Sequence, residues 1–359
     1  MSLELKNTTY RVSGETHIYP TNLELTEGAF NTLLGTTLAG KTTLMHLMAG
    51  LLRPSDGEVW FNGRNVTGMP VQKRNVSMVY QQFINYPNLT VFENIASPLR
   101  VARVRRTELT ERVEAIADLL KLTPMLSRKP NELSGGQQQR TAMARALVKD
   151  ADLVLLDEPL ANLDFKLREE LRNELPKLFA DRKCTVAYAT TEPTEALLLG
   201  GSAAAMHQGR IVEFGPSGEI YRNPKELVAA QVFSEPPMNS IGVTKAGSEF
   251  ILGDGARWSA NGKTAHLVDG SYIVGIRPHF VSPTASDAET VKIDGRVLIT
   301  ELSGSESVIH FNHAGETWVS QAHGIHAMEV GNVATFHFDA ARCLYFSPDG
   351  RRVDKQDYR

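Results

Sequence analysis

The stretch Gly35-Thr36-Thr37-Leu38-Ala39-Gly40-Lys41-Thr42 restricts what this chain can fold into more than any other. It fits G-x-x-x-x-G-K-[ST], a loop whose backbone N–H groups wrap a polyphosphate, whose lysine reaches the outer phosphates and whose hydroxyl stands at a Mg²⁺ position. Such a loop works between a strand and a helix. Phe30 to Leu34 before it reads as a short buried strand, and Thr42 to Leu52 after it puts Leu44, Leu47, Met48 and Leu51 on one helical face. The helix N-terminus brings unsatisfied N–H groups and partial positive charge to the same place. The competing reading is an ordinary glycine-containing turn, against which the strand and helix on the correct sides both count.

Two further stretches carry chemistry. In Leu133-Ser134-Gly135-Gly136-Gln137, Ser134 and Gln137 form a capping-box pattern that opens a helix through Met143, Ala144 and Leu147. A cap explains the serine but not the paired glycine, which costs backbone entropy and implies a close approach by something else. Leu153 to Leu156 is a continuous apolar run, as for a parallel strand covered on both faces, and it ends in Asp157 and Glu158. Adjacent acids there are costly unless a cation or a phosphate-bound water uses them, the alternative being two solvent-facing loop acids.

The 359 residues leave room for about two domains. A break is expected near Ser234 to Asn239, dividing 1–234 from 235–359, with a largely helical insertion at about 90–150. Within it, Thr107 reads as the N-cap of a helix striped by Leu109, Val113, Ile116 and Leu120. Arg100, Arg103, Arg105 and Arg106 precede it as a solvated basic face or a contact for a membrane partner. Beyond residue 239 the text becomes short strands, including Tyr272 to Ile276, Val291 to Glu301 and Val333 to Phe338, suggesting a small β barrel or two. His310/His313 and His323/His326 are spaced as metal ligands could be, but lack a cysteine or acidic pattern beside them. A net charge of −3 gives no electrostatic reason to expect nucleic acid. Cys184 and Cys343 read as buried thiols in a reducing compartment. The N-terminal residues lack a signal-peptide pattern and no stretch is long enough to span a bilayer, so service to a membrane is expected from its cytoplasmic side, through partners.

With these residues in place, the chain resembles the ATP-binding cassette ATPases of membrane transporters, and more finely the maltose and glycerol-phosphate importer type. Lys41 and Thr42 match Walker A, Asp157 and Glu158 the end of Walker B, Leu133 to Gln137 the signature, Gln81 the Q-loop, and Ala161-Asn162-Leu163-Asp164 the D-loop. Tyr86 to Val91, Pro237-Met238-Asn239 and Gly275-Ile276-Arg277-Pro278 are similar to the importer group. The resemblance implies an α/β P-loop nucleotide-binding domain with a helical subdomain, then an all-β, OB-like regulatory domain. It implies ATP held by Gly35, Thr36, Thr37, Leu38, Ala39, Gly40, Lys41, Thr42 and Thr43, and Mg²⁺ on Thr42, on Gln81 and, through water, on Asp157. Glu158 would polarise the attacking water. Two cassettes would sandwich two ATP molecules, with Leu133, Ser134, Gly135, Gly136 and Gln137 acting on the partner's nucleotide and Asp164 linking the sites. Two transmembrane permease subunits and, through them, a solute-binding protein complete the expected assembly at the cytoplasmic face of the plasma (inner) membrane.

Three departures matter. The family pattern T-H-D-x-x-E-A reads here Thr190-Thr191-Glu192-Pro193-Thr194-Glu195-Ala196, with threonine at the switch histidine. Thr191 is too short to reach a γ-phosphate from the same backbone position. Leu38 replaces a small loop residue, and Val12 stands where an adenine-stacking aromatic belongs, with Tyr10 the nearest substitute. The expectation is one half of a heterodimeric ATPase pair with a weakened site of its own. The alternatives are a catalytically silent ATP-binding subunit, a homodimeric transporter ATPase, or a soluble cassette acting on DNA or ribosomes.

Overall fold

Phe30–Leu34 is a strand buried along its whole length, and the first part of the molecule is built around it. The computed structural model describes residues 2–161, 163–180, 184–260, 262–285 and 290–354. The chain divides into two compact units, Met1–Gly218 and Glu219–Arg359.

In chain order the first unit contains β1 (Leu3–Val12), β2 (Glu15–Glu24), β3 (Phe30–Leu34), α1 (Lys41–Ala49), β4 (Asp56–Phe61), β5 (Arg64–Asn65) and β6 (Val76–Val79). It continues with α2 (Val91–Val101), α3 (Arg106–Leu119), α4 (Gly135–Leu147), β7 (Leu153–Asp157), α5 (Phe165–Ala180), β8 (Thr185–Thr190), α6 (Pro193–Leu199), β9 (Ser202–His207) and β10 (Arg210–Pro216). The main sheet has the order β10-β9-β3-β8-β7-β6, parallel except for β10. Strands β3, β7 and β8 are buried at every position, so none shows the alternation of a half-exposed strand, and β3 holds even Asn31 and Thr32 in the interior. Side chains still alternate between faces. Leu153, Leu155, Ala187 and Ala189 pack with α1 and the antiparallel sheet β2-β1-β4-β5, while Val154, Leu156, Val186 and Tyr188 pack with α2 to α5.

The ends of elements differ from expectation for local reasons. Helix α1 stops at Ala49 because Gly50 takes a left-handed φ of 79° and closes it. The Arg74 guanidinium covers that end, donating to the carbonyls of Met48 (2.9 Å), Val66 (2.5 Å) and Met69 (3.1 Å), and a Cβ on Gly50 would lie 2.5 Å from its Cζ. Thr107 is not an N-cap. The chain turns at once after α2, with Val104 N–H donating to Leu99 O, so α3 begins at Arg106 with Arg105 before it and no side-chain cap. Leu109, Val113, Ile116 and Leu120 are buried as the stripe requires, and the four arginines of the α2–α3 turn are exposed.

The second unit follows α7 (Ser217–Arg222) and α8 (Leu227–Val232) with β11 (Asn239–Ala246), β12 (Glu249–Ile251), β13 (Arg257–Ser259), β14 (Gly270–Ile276), β15 (Val281–Ser282), β16 (Val291–Leu302), β17 (Glu306–His313), β18 (Glu316–His323), β19 (Val333–Phe338) and β20 (Leu344–Phe346). These make two five-stranded sheets, β13-β12-β11-β14-β20 and β15-β19-β16-β17-β18, around an aromatic core. Phe311 and Phe336 stack at 3.7 Å, and Trp258 Nε1 donates to Tyr345 Oη at 2.7 Å. Ala230 and Met238 pack against Leu344 and Phe346, so α8 and the 234–239 segment lie with this unit. Among the described residues no cluster of His, Cys, Asp or Glu could hold a metal. His313 is buried edge-on to Trp318, its Nδ1 3.0 Å from Asp294 O. Cys184 and Cys343 are buried and outside any disulfide.

Candidate nucleotide site

The loop from Gly35 to Gly40 carries the chain from the end of β3 to the first residue of α1, Lys41. Its two glycines are required on different grounds. Gly40 has a left-handed φ of 100° and a Cβ there would lie 2.9 Å from Ile18 Cδ1, while one on Gly35 would lie 2.5 Å from Met206 O. The β9–β10 turn props the loop from behind, Gly209 N–H donating to Ala39 O (3.0 Å) and Tyr19 N–H to Gly209 O (3.0 Å). Gly35 N–H donates to Thr190 O at 3.3 Å, fastening the loop to β8. Leu38 sits at the tip with a left-handed φ of 67° and is 95% exposed. That backbone is strained for a leucine.

Strand β7 delivers the acids. Asp157 is 1% exposed, and among the described residues neither of its carboxylate oxygens has a hydrogen-bond partner. Burial pushes its pKa up, with the Thr42 hydroxyl opposite pulling the other way, although no hydrogen bond of good geometry joins them. Glu158 follows with φ 46°, a backbone cost of the kind that gathers at functional sites. Lys41 Nζ donates to Gly35 O (2.8 Å) and Thr36 O (3.1 Å) and lies 3.4 Å from Glu158 Oε1. Gln81 Nε2 donates to Glu158 Oε2 at 3.3 Å. Lysine, glutamate and glutamine thus face one cavity of 230 Å³, which Thr37, Leu38, Ala39, Gly40, Thr42 and Thr43 also line.

Mg²⁺ prefers a few oxygen ligands together with substrate phosphates over a full protein cage. A buried Asp157 carboxylate beside the Thr42 hydroxyl, with Thr42 and Gln81 both lining the cavity, fits that preference.

Tyr10 does not line the cavity. His17 does, and the Tyr10 ring lies edge-on to it with centroids 6.4 Å apart. Thr191 is the first residue after β8 and is exposed, with no hydrogen bond to the loop or to Glu158 among the described residues. Asp164 Oδ1 accepts from Leu167 N–H (3.0 Å) and opens α5, whereas Asn162 lies outside the described residues.

The signature segment stands apart from this cavity. Leu133 is buried, Ser134 Oγ accepts from Gln137 N–H (3.4 Å), and Gln137 Oε1 accepts from Ser134 N–H (2.9 Å), the full capping box. Apart from its chain neighbours and the backbone of its own helix, no described residue has an atom within 4 Å of where a Cβ on Gly135 would stand. None of Leu133 to Gln137 lines the cavity. Gln139 Nε2, one turn on, donates to Pro159 O at 2.9 Å and ties α4 to the Walker B turn. In the Q-loop, buried Asn94 accepts from Tyr86 N–H and donates to the carbonyls of Tyr86, Leu89 and Thr90, leaving Ile84 and Tyr86 exposed.

A glycine loop, a lysine and paired acids at the carboxyl end of a parallel sheet define a P-loop ATPase. The family model for ABC transporters matches residues 18–161, and that for the TOBE domain matches residues 274–346. The sn-glycerol-3-phosphate import ATP-binding protein UgpC of Yersinia enterocolitica is 33% identical over 338 residues, 93% of each chain. That of Pectobacterium atrosepticum is 32% identical over 356 residues, 98% of this chain and 99% of the relative. The ABC transporter ATP-binding protein YcjV of Escherichia coli is 33% identical over 333 residues, 91% and 92% of the two chains. A dimeric structure of the bacterial ABC transporter cassette MJ0796 superposes with a TM-score of 0.55 at 30% identity, covering 60% of this chain and 98% of that one.

This chain belongs to the ABC transporter ATP-binding proteins, and it is an ATP hydrolase coupled to transport. Among the described residues no helix is long and apolar enough to cross a membrane.

Proposed function

We propose that this chain is the energy-coupling subunit of an importer for a carbohydrate or polyol, with glycerol phosphate, the solute in the printed name of two relatives, within that class. The observation that carries the reading is the cluster of Lys41, Glu158 and Gln81 beside an unpartnered Asp157. Phosphoryl transfer asks for positioning and charge stabilisation more than covalent help. Lys41 and the amides of Gly35 to Thr43 hold the β- and γ-phosphates. Thr42 and Gln81, and Asp157 through a water, would hold Mg²⁺, which when bound would neutralise charge that develops on the phosphates. Glu158 takes the proton of the attacking water.

The signature segment serves the nucleotide of a second ATPase chain, and the open space at Gly135 supports this: outside the Ser134 cap and the helix itself, no described residue crowds this helix N-terminus, which suits a phosphate from outside. Asp164 links the two sites. The Q-loop face with Ile84 and Tyr86 receives a permease subunit, which a solute-binding protein supplies, at the cytoplasmic face of the membrane. The nucleotide-binding domain corresponds to the first compact unit, up to Gly218, and the regulatory domain to the second, which takes α8 with it.

The pair is a heterodimer in this reading. Thr191 leaves the γ-phosphate one donor short, and losing a preorganised donor typically costs about 10²- to 10³-fold in rate. The chain then lends an intact signature to a competent partner while its own site turns over slowly. Purifying it alone and with candidate partner ATPases tests this; fast turnover by the lone chain, unchanged in Thr191→Ala, would sink it.

A further inference from the structure

A polar network lies behind the turn that bears Thr191. Arg168, on the first turns of α5, donates through Nη2 to the carbonyls of Ala161 (3.2 Å) and Leu163 (3.4 Å), both in the D-loop. Its Nη1 donates to Glu192 Oε1 at 3.1 Å, one residue past Thr191. One guanidinium thus bridges two segments that the sequence separates by about thirty residues. From Glu192 the contacts continue. Arg172 Nη2 lies 3.5 Å from Glu192 Oε2 and 3.6 Å from Glu195 Oε1. Glu195 Oε2 accepts from Thr190 Oγ1 (2.6 Å) and Tyr188 Oη (2.9 Å), and Thr190 O accepts from Gly35 N–H of the phosphate loop.

The placement of charge is unusual for packing alone. Arg172 and Glu195 are buried, and two arginines face three carboxylates, Glu169, Glu192 and Glu195. Buried ion pairs contribute little net stability, and a fork that bonds carbonyls on one side and a carboxylate on the other fixes geometry above all.

We infer that Arg168 is a positioning residue, a strut that makes the D-loop and the turn after β8 move as one body and so holds Glu158, whose N–H donates to Ala189 O of β8 (3.1 Å) and whose carbonyl accepts from Ala161 N–H of the D-loop (3.3 Å), in place for the attacking water. The inference rests on the reading that this chain's own site hydrolyses ATP. Lys41, Gln81 and Glu158 bind and activate without touching Arg168. Cutting the strut therefore slows turnover and leaves nucleotide affinity in place, whereas a merely structural defect lowers both.

The test uses the purified full chain with MgATP and, separately, a fluorescent ATP analogue. Arg168→Ala and Glu192→Ala are each expected to lower kcat about tenfold while the analogue's Kd stays within about twofold, and the double variant to be no slower than either single one. Arg168→Lys, which keeps the charge but not the fork, is expected to fall between, and it is read alone if Arg168→Ala does not fold. A Kd that rises in step with the loss of kcat, or single effects that multiply in the double variant, overturns the inference. Glu158→Gln serves as reference. Turnover lost there and intact in Arg168→Ala overturns the strut alone, and turnover intact in both overturns the proposed function with it.

Discussion

Lys41 Nζ lies 3.4 Å from Glu158 Oε1, so the lysine placed for the outer phosphates is charge-paired with the carboxylate placed to activate water. ATP entering the loop competes with Glu158 for Lys41. Glu158→Gln removes the competitor and the base together. It is expected to lower kcat about 10²-fold and to tighten ATP binding by roughly threefold to tenfold, the worth of one partly buried ion pair of about 1 kcal/mol. Steady-state hydrolysis and calorimetric titration separate the two effects, and weaker binding in the variant would refute the competition.

Thr191 keeps a hydroxyl but is too short for the task of an imidazole. Thr191→His is expected to raise turnover by about 10- to 100-fold, since it restores a donor to the developing anion. Thr191→Ala should change it by less than about threefold. An inert Thr191→His would mean that the turn after β8 holds the side chain away from the phosphates.

His17 lines the nucleotide cavity with the Tyr10 ring edge-on to it. His17→Ala should weaken ATP binding by about fivefold, on the scale of one lost ring contact of about 1 kcal/mol, while His17→Trp keeps it. Equal affinity in both variants would remove His17 from the site.

Asn94, 0% exposed, meets four backbone groups of the Q-loop segment with one amide. Asn94→Ala strands those groups and should cost about 2–3 kcal/mol in chemical denaturation. It should also weaken association with the permease, read by co-purification, because residues 84–90 lose their fixed shape.

Burial pushes the Cys343 thiol and the Tyr345 phenol of the second unit well above their ordinary values of 9.0 and 10.0. The unfolded chain therefore releases these protons first on the alkaline side and binds fewer of them than the folded chain, so stability falls as pH rises. From about pH 9 the unfolding free energy should drop by up to about 1.4 kcal/mol per pH unit for each group. Urea titrations between pH 8 and 10.5 measure the slope. Cys343→Ala should flatten it between pH 9 and 10, and an unaltered slope there would count against the thiol.

The phosphate loop was legible because its chemistry is written in one continuous stretch, and strand β7 because its residues, covered on both faces, read as an apolar run. Strands β11 and β18 were not. Gly242 interrupts the first, and Gly315 and Gly324 bound the second so closely that little alternation is left to see. His17 and Arg168 were hidden for another reason. Each gains its meaning from a segment distant in sequence, His17 from the loop it faces and Arg168 from the turn after β8. Spacing along the chain predicts neighbours on one element and is silent on which elements meet.

The Arg74 clasp makes the end of α1 depend on a residue far along the chain. A side chain at residue 50 meets both a left-handed backbone and the guanidinium, and a shorter residue at 74 leaves three carbonyls without their donor, so the stop of one short helix is written in two places and either change loosens it.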